Sequence, residues 1–81
     1  MEHVMVEREF AEPVTDEQLN AMAERAGGCY GRLNVTRVCS YMSLDRKRMI
    51  CVYTAPDAES VRQASDRAQI PYVRIWTATV G

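Results

Sequence analysis

At 81 residues and 9.2 kDa the chain has material for one hydrophobic core and reads as one domain over 1–81. Apolar residues make up 47% and charged residues 26%, as in a folded domain; no stretch nears the ~18 apolar residues of a membrane span, and no cleavable leader shows, so a cytosolic protein is expected. Ten Lys and Arg against 11 Asp and Glu leave a net charge of −1, without the basic excess that phosphate contacts demand, which argues against nucleic acid.

Residues 3–10 alternate. Val4, Val6 and Phe10 fall on one side, interrupted by Arg8, while His3, Met5, Glu7 and Glu9 fall on the other, which is the period of a strand. Pro13 ends it, and Thr15 with Gln18 has the spacing of a capping box. Leu19, Met22, Ala23 and Ala26 then recur at helical spacing, so a helix begins near residue 16. Gly27-Gly28 is a stop signal, yet Tyr30 and Leu33 continue the apolar stripe, and the end is expected between 27 and 32.

Residues 35–44 and 48–54 read as two strands joined in a hairpin around Asp45-Arg46-Lys47. Asp57 is the expected N-cap of a second helix, with Ala58, Val61, Ala64 and Ala68 on its buried side. Ile70-Pro71 stops that helix, and residues 72–79 form the last strand. The order βαββαβ predicts a ferredoxin-like α+β fold: a four-stranded antiparallel sheet, order 4-1-3-2, with both helices on one face.

Strand parity predicts which side chains meet the helices. Val4, Val6, Val38, Met42, Leu44, Ile50, Val52, Val73 and Ile75 are assigned to that side. The open face then carries His3, Met5, Glu7, Glu9, Arg37, Cys39, Tyr41, Ser43, Met49, Cys51, Tyr53, Arg74 and Trp76. So much aromatic and sulfur surface predicts an interaction site, most simply a homodimer with sheets face to face and a cavity between them.

On that face Glu7, Cys39, Cys51 and His3 are the candidate metal donors, a carboxylate, two thiolates and an imidazole. Tyr41, Asp45, Tyr53, Arg74 and Trp76 are candidate contacts to a small apolar ligand. A plainer reading pairs Glu7 with Arg74 in a salt bridge and takes each cysteine as a small buried hydrophobe. The three cysteines lack CxxC spacing and read as free thiols. Asp45 is most simply a turn former. No GxSxG, Walker loop, HExxH or GxGxxG occurs, which removes the common hydrolase, nucleotide-binding and zincin readings.

Three runs carry a resemblance: Met5–Glu12; Ser40–Lys47 continuing through Cys51–Pro56; and Glu59–Ala64 followed by Ile70-Pro71. Together they resemble a family of small bacterial ferredoxin-like domains of unknown function that includes nickel-binding, nickel-responsive homodimers. The resemblance implies roles for Glu7, Arg8, Tyr41, Asp45, Cys51 and Tyr53, and it implies Ni(II) as the metal. Many relatives carry histidine where this chain has Cys39 and Ala64; thiolate is also a ligand for Ni(II). Two further readings stay open: a cofactor-free isomerase, cyclase or monooxygenase of the dimeric α+β barrel kind, with Glu7 as base and Tyr41 or Tyr53 orienting the substrate, and a non-catalytic accessory module.

Overall fold

The elements follow in the expected order in a computed structural model that describes residues 1–79: β1 (Glu2–Glu9), α1 (Asp16–Arg32), β2 (Thr36–Met42), β3 (Arg48–Ala55), α2 (Ala58–Arg67) and β4 (Arg74–Ala78). The strands form one sheet in the order β2-β3-β1-β4, and all three pairings are antiparallel. This is the ferredoxin-like arrangement.

Local chemistry starts and stops both helices. Thr15 accepts from the Gln18 amide while Gln18 returns a bond to the Thr15 N–H, completing the capping box. Asp57 caps α2 by accepting from the Ser60 N–H at 2.7 Å. Each helix ends in a Schellman turn. Asn34 (φ 60°) and Gln69 (φ 56°) take the left-handed position, and the amides of Val35 and Ile70 reach back to the carbonyls of Tyr30 and Ser65. α1 therefore runs on through Gly27 and Gly28 and stops at Arg32.

The core lies between the sheet and the helices. Val4 and Val6 of β1, Cys51, Tyr53 and Ala55 of β3, and Val61 and Ala64 of α2 meet there with Tyr30, Val35, Ala68 and Ile70. The α2 side is closed. α1 leans on α2, with Arg25 donating to the Ala68 carbonyl at 2.9 Å, rather than lying down along the strands.

Strand parity is where the expectation fails, and it fails on β3. Register pairs Val4 with Tyr53 and Val6 with Cys51, so Cys51 and Tyr53 project into the core, not onto the open face. Ile50 and Val52 take the open face instead. Both parities of β3 are apolar, so alternation carries no information about which is inside. A one-residue bulge between Arg37 and Cys39 shifts the register of β2 as well. Arg37 consequently pairs beside Tyr53 on the helix side, while Cys39 and Tyr41 stay on the open face. Val38, Leu44 and Val73, expected against the helices, are exposed.

Candidate functional site

The open face is built from side chains that are cross-strand neighbours. Met5 lies opposite Val52 on one side and Trp76 on the other, while Ile50 lies between Glu7 and Tyr41. Cys39 is opposite Val52, and His3 stands at the end of the face opposite Thr54 and Ala78. Tyr41 is 67% and Trp76 38% exposed. Met5, Tyr41, Ile50, Val52 and Trp76 make an apolar band that touches all four strands, with charged side chains beside it.

Glu7 sits within it, its side chain 12% exposed, held by two arginines. Arg48 Nη2 donates to Oε2 at 2.9 Å, and Arg74 Nε lies 3.2 Å from Oε1. Both carboxylate oxygens are thus occupied by cations, which gives the pairing with Arg74 and adds Arg48 to it. Asp45 is spent in the hairpin turn. It accepts from Ser43 Oγ at 2.6 Å and from the Lys47 amide at 3.0 Å, and these bonds hold its pKa below the usual carboxylate value.

The proposed donor set is therefore divided. Glu7, Cys39 and His3 lie on the open face, and Cys51 lies behind the sheet against the core. Tyr53 is likewise behind it, so it cannot orient a molecule held by Glu7. Positions 39 and 64 are separated too, since Ala64 is fully buried on α2. Among the described residues no three His, Cys, Asp or Glu side chains come together to hold a metal ion. One protomer alone does not fit nickel.

The inner side holds a cluster around Arg8 that includes Tyr53, the member parity assigned to the open face. Arg8 donates to the Pro71 carbonyl at 2.8 Å and to the hydroxyls of Tyr30 and Tyr53, each at 3.2 Å. Tyr30 Oη is bonded to Ser65 Oγ at 2.9 Å, and the two tyrosine rings pack 5.2 Å apart at 60°. Burial opposes the charge on Arg8, but the guanidinium does not deprotonate in a protein, and the oxygens of Pro71, Tyr30 and Tyr53 take up its hydrogen bonds. Burial first, and then Cys51 and Tyr30, push the Tyr53 phenol up, which keeps it neutral. Ser65 gave no sequence signal at all. Arg8 did, as the one charged residue on the apolar side of β1.

A family profile described as "Nickel responsive protein SCO4226-like" matches residues 5–77. The crystal structure of SCO4226 from Streptomyces coelicolor A3(2) superimposes with a TM-score of 0.85, at 19% identity, covering 98% of each chain. At that identity the likeness speaks for the fold. No curated protein matches the chain. Among the described residues no helix is long and apolar enough to cross a membrane.

Proposed function

Because the chain belongs to the SCO4226-like family of nickel-responsive proteins, we propose that it works as a homodimer closed through the open sheet face, and that nickel is met there by donors from both copies. The observation that carries the reading is the band of Met5, Tyr41, Ile50, Val52 and Trp76, which reaches all four strands. β3 supports it independently. A strand with apolar side chains in both parities suits a position covered on both faces.

The donor chemistry fits a shared site better than a single-chain one. Each protomer offers the His3 imidazole and the Cys39 thiol on this face, too few for a metal that favours four in-plane donors. A two-fold axis doubles them. Glu7 is left out of the set, since both its oxygens already face arginine. The three cysteines are free thiols, which supports a reducing, cytosolic setting.

Sedimentation velocity with and without Ni(II), followed by calorimetry, tests both halves. The expected particle has twice the 9.2 kDa chain mass and takes one nickel per dimer. Cys39→Ser and His3→Gln should stay dimeric and lose the metal. A 9.2 kDa particle at micromolar concentration overturns the dimer. A dimer that gives no heat with Ni(II), or keeps binding it in both variants, overturns the shared site alone.

A further inference from the structure

The inner side of the sheet holds a cation that the fold leaves without an anion. Arg8 is 2% exposed, and its three oxygen acceptors, a carbonyl and two phenols, are all neutral. Among the described residues none of the ion pairs includes it. Buried charges are ordinarily paired, because neutral dipoles replace lost hydration incompletely.

Beside this guanidinium opens a cavity of about 590 Å³ between α1 and the sheet, in the size range of small-molecule sites. Of the described residues that line it, only Arg8 and Arg37 are charged, and both are cations. One row of the α1 wall, Leu19, Ala23, Gly27 and Gly31, runs at four-residue spacing along its exposed margin, with Met22, Ala26 and Tyr30 on the row behind it. A Cβ added at Gly27 or Gly31 would meet no atom within 4 Å. Neither glycine takes a positive φ, so neither is demanded by the backbone. They weaken the helix and leave its wall of the cavity low at two exposed positions. Met22 and Met49 add further apolar lining.

We propose that this cavity binds a small organic monoanion, a carboxylate on an apolar body, with its head group at Arg8 and its body along the α1 stripe. A guanidinium offers five N–H donors, and the protein oxygens take three of them. Arg8 donates to both phenol oxygens, so the phenolic hydrogens are directed away from it. That of Tyr30 lies in the bond with Ser65 or is replaced there by the Ser65 hydrogen. The Tyr53 hydroxyl is then a second donor for the head group, beside a charge that the ligand would neutralise. The site is on the opposite side of the sheet from the face assigned to dimerisation, and it does not depend on that reading.

Calorimetry and thermal melts of the full chain with octanoate, 2-naphthoate, 1-octanol and octylamine test the assignment. At least one of the two carboxylates should bind and raise the midpoint. Octanol should bind at least tenfold more weakly than octanoate, and octylamine should give no shift. Arg8→Met should abolish the preference for the acid over the alcohol. Because that change also strips the tyrosines of a donor, Gly27→Leu is the companion variant: it leaves the Arg8 cluster intact, suits the helix, and adds a bulky side chain to the α1 wall that the ligand body would contact. It should fold with an equal or higher midpoint and lose carboxylate binding. Failure of both carboxylates, equal affinity for octanol and octanoate, or undiminished binding by the folded Gly27→Leu protein would overturn the proposal.

Discussion

Glu7 and Arg8 are adjacent in sequence and, being on a strand, point to opposite sides of it. Their circumstances are inverted. The carboxylate is mostly buried and has two cations, whereas the guanidinium is buried and has none. In a single protomer Glu7→Gln should therefore cost little, about 1 kcal/mol or less, since Arg48 and Arg74 are there roughly two-thirds exposed and remain hydrated when the charge is gone. Urea denaturation checks it, and a loss above about 3 kcal/mol would show that the pair is far more desolvated than its exposure indicates. At this scale the sequence was half legible. Arg8 announced itself by breaking an apolar alternation, and Trp76, Tyr41 and Arg74 lie on the face assigned to them. Met49, Cys51 and Tyr53 belong to the inner side, against the expectation, because β3 carries them on one side and the equally apolar Ile50 and Val52, with Thr54, on the other. Either set could line a core, and only the pairing with Val4 and Val6 decides.

The elements were more legible than the residues. Capping chemistry is local, so Thr15, Gln18 and Asp57 act in the fold as their spacing suggests. The end of α1 was not readable, because two glycines argued for stopping and an apolar stripe for continuing. The stop belongs to Asn34, which tolerates the left-handed conformation that closes the Schellman turn. That geometry makes two predictions in opposite positions of the helices. Gly28, helical and with free space around its missing Cβ, should gain about 0.5–1 kcal/mol as Gly28→Ala. Gln69, at φ 56°, should gain about 1 kcal/mol as Gln69→Gly, because the left-handed position penalises a side chain. Each gain corresponds to a midpoint higher by a few degrees in a domain of this size. A fall for Gln69→Gly would mean that its side chain contributes more than its backbone conformation costs.

At the scale of the molecule, two layers leave one sheet side facing outward, and pairing is the simplest way to cover it. Val52→Glu tests this without touching the inner cluster, since Val52 lies opposite Met5 in the middle of the face. A carboxylate there should yield a folded monomer, seen as an unchanged far-ultraviolet dichroism spectrum with halved mass in sedimentation; a dimer that persists would place the contact elsewhere. The outer strands bear on the same question in another way. β2 carries the bulge between Arg37 and Cys39, and β4 is only five residues long and follows directly on Pro71, Tyr72 and Val73. An interrupted strand at one margin and a short one at the other are poor templates for adding a further chain side by side. Ribbon growth is thereby discouraged at both ends, and stacking through the flat side uses up that side in a single step. Association through the proposed face would be self-limiting, closing at two copies rather than growing into a filament.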